Sequence, residues 1–414
     1  MPAWLKSLSA WMGNDQLTGI PIQEDVHPYD VAMALLIIRE ARDSLAKGDY
    51  QNASSAAQEA LGIYRKLSSA RPKEYERDLA TSLLMLAVST NGLGDYATAV
   101  SAQEEVVGIF RRLAQADPAA FESELAATLN DLSNYLGGIG DRRGALAAAQ
   151  DAVSVWRRLA TANPTAHDAG LAMGLTTMGG RLRDQGDLQA ALVPAKEGAE
   201  IYRRLARESP TSHEPNFVWS LNNLANCMFF SGDRQGAVVA VQEVVKINRR
   251  LADVNPTAHE ASLAFCLSNL GDFMCIVGDF YQAQWPLHEA ASIYRSLADV
   301  SPAAYEYLLA CSLCRLATCM TGVGNRVGAL SRSQESVDIV RRLAQADPAA
   351  YQPELAKHLW ANMTALGAAS YKEKAMVSGT EALVLFTKLS EVDPAGFSDF
   401  KDAVLIDLAE LAKK

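Results

Sequence analysis

Leucine stands at positions 67, 113, 159, 205, 251, 297, 343 and 389, each 46 residues after the last. Proline keeps the same interval at 72, 118, 164, 210, 256, 302, 348 and 394, and alanine at 53, 99, 145, 191, 237, 283, 329 and 375, with no insertion in the ladder. The ten residues RRLAQADPAA are written twice, at 111–120 and 341–350, and the 230 positions between them are five such intervals. A fixed period of this length marks a repeat array, in which one supersecondary unit is copied and each copy buries its apolar face only against its neighbours.

Within one period the apolar residues have helical spacing twice over. Leu125, Leu129, Leu132 and Leu136 share one helix face, and Ala145, Ala149, Val153, Trp156 and Leu159 share another. Between them stands Gly140-Asp141: glycine accepts the left-handed C-terminal cap, and aspartate caps the N-terminus of the helix that follows. Asn163-Pro164 closes the period, because proline suits the first position of a helix and no interior one. The expected architecture is all-α, about eight helix pairs over residues 29–396, with 397–414 a C-terminal capping helix and 1–28 an N-terminal segment. In that segment Trp4, Leu8 and Trp11 fall on one helical face and read as a cap, with a partner or membrane anchor as the other reading.

These residues resemble the tetratricopeptide repeat (TPR) family. Its pattern of a leucine and a small residue, a Gly-Asp turn, then alanine stands here as Leu86-Ala87, Leu132-Ser133, Met178-Gly179, Leu224-Ala225, Leu270-Gly271 and Leu316-Ala317. Gly94, Gly140, Gly186, Gly232, Gly278 and Gly324 follow, each with its alanine five positions on. The repeats depart from the family in being longer than its usual unit, in carrying Leu129, Leu221 and Leu267 where it has tryptophan, and in degrading the turn to Gly324-Asn325 and Ser370-Tyr371. Length alone also suits HEAT or armadillo repeats; the Gly-Asp turn favours TPR, and Leu-Asn-Asn-Leu-Ala at 221–225 resembles the kinesin light chain-like branch. The resemblance implies a right-handed α-α superhelix that binds protein partners.

The 414 residues are 49% hydrophobic and 21% charged, the balance of a folded, water-soluble chain, and no apolar run is long enough to cross a membrane. A net charge of -10 argues against nucleic acid as a partner. The first residues lack the continuous apolar stretch of a secretory signal, so the expected compartment is cytoplasmic, with the six cysteines reduced.

Three sets of residues suggest chemistry at first sight. His167, His213 and His259 recur on the period, but at the position filled elsewhere by Tyr75, Phe121, Tyr305, Tyr351 and Phe397, so they read as slot-filling rings rather than metal ligands. Cys311 and Cys314 lack the second pair a zinc site requires and, like Cys266, Cys275 and Cys319, read as small packing residues. The pairs Arg111-Arg112, Arg157-Arg158, Arg203-Arg204, Arg249-Arg250 and Arg341-Arg342 could form a basic ridge, yet each closes a helix where cations offset the macrodipole, with Glu105, Asp151, Glu197, Glu243 or Glu335 six or seven residues before it. No nucleophile, phosphate-loop or clustered-carboxylate motif is present, so neither an enzyme nor a cofactor is expected.

In a repeat array, departures from the period on the open face are where binding is expected. The TPR resemblance implies that the first helix of each pair lines a concave groove. Its positions in repeats four to six include Met173, Trp219 and Phe265 as a stripe, with Asn222, Asn226, Phe229, Phe230 and Asp272 beside them, and Asn223 and Asn269 as further contacts. Rings next to amides suit an extended peptide, the rings supplying buried area and the amides pairing with its backbone. The expected function is a protein-interaction scaffold; the alternative is a sensor or enzyme-like pocket closing on a small molecule. Pro194 and Pro286, three residues beyond their alanines, are expected to kink the second helices of repeats four and six.

Overall fold

The computed structural model describes residues 28–413; Trp4, Leu8 and Trp11 lie outside them. Every element among the described residues is an α-helix. Contacts divide the chain at Ser231/Gly232 into two compact units. The N-terminal unit holds α1 (Pro28–Ala46), α2 (Tyr50–Ala70), α3 (Pro72–Gly92), α4 (Tyr96–Ala116), α5 (Pro118–Gly138), α6 (Arg142–Ala162), α7 (Pro164–Asp184), α8 (Leu188–Glu208) and α9 (Pro210–Phe230). The C-terminal unit holds α10 (Arg234–Val254), α11 (Pro256–Ile276), α12 (Phe280–Val300), α13 (Pro302–Gly322), α14 (Arg326–Ala346), α15 (Pro348–Ala368), α16 (Lys372–Val392) and α17 (Pro394–Lys413). Odd-numbered helices are the first, and even-numbered helices the second, of each repeat.

The residues that keep the period are the ones that end and restart helices. Gly48, Gly94, Gly140 and Gly186, and in the C-terminal unit Gly232, Gly278 and Gly324, all take a left-handed φ between 76° and 101°. Around Gly140 the C-terminal cap of α5 closes as Asp141 N–H donates to Leu136 O at 3.0 Å, and Asp141 then accepts from Gly144 N–H at 3.0 Å to start α6. At the other end, prolines such as Pro118 and Pro164 open the first helices, with Asp117 and Asn163 as caps. The alanine rung is fully buried: all eight alanines are at most 1% exposed. α8 and α12 run unbroken through Pro194 and Pro286.

The degraded turn of the eighth repeat is legible in the backbone. Ser370 takes φ 68°, the only left-handed non-glycine among the described residues, and Tyr371 gives α16 no side-chain cap. A Cβ in that conformation costs about 1 kcal/mol and an absent cap about as much. Restoring the turn with Ser370→Gly and Tyr371→Asp should therefore raise the stability of the C-terminal unit by about 1–2 kcal/mol in urea unfolding; an unchanged midpoint would contradict this account.

Successive repeats are joined by an aromatic seam. Phe110 of α4 lies 6.5 Å from Phe121 of α5, Trp156 of α6 lies 6.1 Å from His167 of α7, and Phe386 of α16 lies 6.5 Å from Phe397 of α17. His167 thus stands in the ring slot that the period assigns to it. First helices of successive repeats also pack directly on one another within each unit. Buried hydroxyl pairs bridge them, Thr176 Oγ1 to Ser220 Oγ at 2.7 Å and Ser268 Oγ to Ser312 Oγ at 3.2 Å.

Candidate functional site

In the N-terminal unit the expected residues lie on α9 and on its neighbour α7. Trp219, Asn222, Asn223, Asn226 and Phe230 are spaced along one face of α9, and the two ends of that stripe are open: Trp219 is 41% exposed and Phe230 56%. Phe229 differs from expectation. It is buried and meets Phe230 edge-on at 5.7 Å, so it holds the exposed ring in place and offers a ligand little surface. The amides differ as well. Asn226 Nδ2 donates to Asn222 O inside the helix at 2.9 Å, whereas Asn222 Oδ1 is buried with no hydrogen-bond partner. Asn223 turns toward α7, where Gly180 leaves room for its Oδ1. Met173 is half-buried on α7.

The same face of α7 carries a polar group that the period did not single out. Arg181 Nη2 donates to Asn134 Oδ1 of α5 at 3.1 Å, and Nη1 donates to Asp184 at 3.1 Å. Its guanidinium fills the space above Gly137, where an added Cβ would lie 2.4 Å from Nη1. Burial lowers its pKa despite the Asp184 charge. The signal in the sequence was the pair Gly137-Gly138, which opens the groove face of α5; the arginine that fills the gap comes from the next repeat and had no mark of its own.

In the C-terminal unit α11 repeats the stripe one period later. Phe265 is 50% exposed and Ile276 53%, with half-buried Asn269 between them. Asp272 is already engaged: its carboxylate pairs with Arg315 Nε of α13 at 3.1 Å, and burial raises its pKa to about 6. A ligand on this face would meet an ion pair there and not an open acid.

The basic pairs are tied into the scaffold. Between successive second helices Arg65 pairs with Glu105, Arg111 with Asp151 and Arg157 with Glu197, at 2.8, 3.0 and 2.6 Å. The following arginine turns back to the first helix of its own repeat, as Arg112 to Glu76 and Arg158 to Glu122, at 2.9 and 2.6 Å. The C-terminal unit repeats both contacts in Arg341–Glu381 and Arg342–Glu306. Glu105, Asp151 and Glu197 therefore serve the arginine of the preceding repeat, not the pair that follows each of them. Exposed bridges of this kind contribute at most about 1 kcal/mol each, but they leave a ridge of alternating sign.

Two chemically suggestive groups also have structural partners. Ser336 Oγ donates to Ala310 O at 2.8 Å, so its 2.6 Å contact with His358 Nδ1 has the imidazole as donor, the reverse of nucleophile activation. Burial lowers His358 to about 4 and keeps that ring neutral. The cysteines are free thiols, and burial pushes Cys266 and Cys314 up to about 12, leaving them protonated.

The family model described as Tetratricopeptide repeat matches residues 125–160. That span runs from α5 into α6 across Gly140-Asp141, and the period copies it along the chain. Residues 125–160 thus match a tetratricopeptide repeat. No curated protein sequence matches the chain. Among solved structures, the chain is similar to BtubC (BKLC) from P. vanneervenii, at 17% identity and TM-score 0.47 over 59% of this chain and 91% of that one. It is similar to a Podosopora anserina kinesin light chain with nearly identical TPR-like repeats, at 18% identity and TM-score 0.43 over 55% and 100%. It is also similar to a Rap protein complexed with Competence and Sporulation Factor, at 12% identity and TM-score 0.47 over 86% and 98%. No helix among the described residues is long and apolar enough to cross a membrane.

Proposed function

We propose that this TPR protein is a non-catalytic interaction scaffold that holds a peptide segment of a protein partner on its first-helix face, with α9 as the principal contact. One observation carries the reading: Asn222 Oδ1 is buried without a hydrogen-bond partner between the exposed rings of Trp219 and Phe230. An unmet buried acceptor costs about 1–3 kcal/mol, and rotation of the half-buried Asn222 amide would bring it to a backbone N–H laid along α9 between the two rings. Asn223 and the Arg181–Asn134 pair extend the polar surface along α7 and α5, while Phe265, Asn269 and Ile276 offer a comparable stripe on α11. Phe229 and Asp272 act as supports in this reading, the first behind Phe230 and the second through Arg315.

The test is affinity purification with mass spectrometry of wild type against Trp219→Ala/Phe230→Ala. Both side chains are exposed, so the double variant should keep its melting temperature and lose its protein partner by at least about tenfold, the loss expected when aromatic anchors are removed. Identical partners recovered by both proteins would sink the proposal.

A further inference from the structure

A cavity of about 480 Å³ opens on the second-helix side of the C-terminal unit, between α10 and α12 over α11. Leu270 and Met274 of α11 form its apolar floor, and both are buried. Trp285 of α12 forms one wall and is 60% exposed. Arg249 of α10 lies with its guanidinium carbon 5.0 Å from the indole centre while donating to both Glu289 oxygens, at 2.9 and 2.6 Å. The indole is thus fixed by a cation that is itself clamped, which makes a preformed aromatic surface.

Two of the residues that shape this cavity, Trp285 and Lys246, break the period. The position of Trp285 is serine, alanine or valine in every other repeat: Ser55, Ser101, Ala147, Val193, Val239, Ser331 and Val377. The position of Lys246 is otherwise Gly62, Gly108, Ser154, Glu200, Ser292, Asp338 or Val384, so a cation occurs there once. Pro286, beside the indole, has no N–H, which deprives the carbonyl of Gln282 of its helical partner, and Gln282 lines the cavity. Scaffold requirements recur with the repeat and cannot explain Trp285 and Lys246, which are confined to this gap; Pro286 has one counterpart, Pro194.

The charged lining is Lys246, Arg249 and Arg250 against Asp253. Glu289 offsets Arg249, and Lys246 makes no ion pair among the described residues. Asp253 stands two turns along α10 from Lys246, about 10 Å at the helical rise, so the positive end of the cavity is local. The size lies within the range of small-molecule sites, roughly 300–1,000 Å³. We propose that this cavity is a second binding site, separate from the first-helix face, for a small molecule with a flat apolar body and one anionic group: the body lies on Trp285 over Leu270 and Met274, and the anion meets Lys246.

The probe is 1-anilinonaphthalene-8-sulfonate, which has such a body and one sulfonate, titrated by fluorescence. Wild type should bind it at a single dominant site. Trp285→Ala should weaken that binding at least about tenfold by removing the wall, and Lys246→Glu about tenfold by reversing the charge. The neutral N-phenyl-1-naphthylamine should feel Trp285→Ala and be indifferent to Lys246→Glu. Both side chains are exposed, and unchanged circular dichroism confirms folding. Trp219→Ala/Phe230→Ala should leave probe binding intact, whereas the cavity variants should leave partner capture intact, so either site can fail without the other. Absence of sulfonate binding to wild type, binding unmoved by both cavity variants, or binding lost only in the Trp219/Phe230 variant would each overturn the proposal.

Discussion

Trp156→Ala is expected to destabilise the N-terminal unit by about 3–5 kcal/mol, the usual cost of emptying a buried aromatic site. Trp156 is 8% exposed and touches His167, and the helix it faces has been cut back to receive it. A Cβ on Gly170 would fall 2.7 Å from the indole and one on Gly174 3.3 Å from it. With glycine at these two positions, α7 has no side chain there to swing in and fill the void. In a repeat array the loss also weakens the interface between the third and fourth repeats, so amide exchange should accelerate across both α6 and α7. Gly170→Ala alone should cost about 1–3 kcal/mol by overpacking, and most of that penalty should vanish in the Trp156→Ala background, where the space is free. Urea unfolding of the two single variants and the double variant measures the coupling; additive costs would show that the indole and Gly170 do not share the site.

The second large effect is electrostatic. Asp131 of α5 is half-buried, has no ion pair among the described residues, and is pushed by burial from 3.8 to about 7. Its folded pKa lies above its unfolded one, so the folded state holds a proton that the unfolded chain has already released. Stability from this group is therefore complete below about pH 4 and is lost as the pH rises through about 7. Each pH unit in that window is worth about 1.4 kcal/mol, which sets a ceiling near 4 kcal/mol; partial access to water brings the expected loss to about 2 kcal/mol. Asp131→Asn should remove this dependence, leaving stability at pH 4 almost unchanged and raising it at pH 8 by about 2 kcal/mol. Denaturant unfolding at the two pH values checks it, and a variant that tracks wild type at both would refute the assignment.

The scaffold was legible because every element of it is local and copied. Gly140-Asp141 encodes a left-handed cap and an N-cap within two residues, Asn163-Pro164 encodes the next start, and the repetition of each signal removes the ambiguity a single copy would carry. Even the failure at Ser370-Tyr371 could be located as a missing member of a series. The candidate site was legible only in part. The TPR resemblance implied a place for it on the first helices, but Phe229 and Phe230 are adjacent in sequence and opposite in exposure, one buried and one 56% exposed. Successive residues on a helix differ by 100°, and a small rotation decides which ring faces water.

What the sequence determined by itself is the all-α repeat, its turns and its register, since these depend on interactions spanning a few residues. Which side chains are already occupied was decided by tertiary structure. Arg111 pairs 40 residues ahead with Asp151, Arg181 pairs 47 residues back with Asn134, and Asp272 is taken up by Arg315. The cavity beside Trp285 draws its walls from α10 and α12 and its floor from α11. Such contacts bring together residues on neighbouring helices whose distance in sequence carries no mark, so they come into being only when the repeats stack.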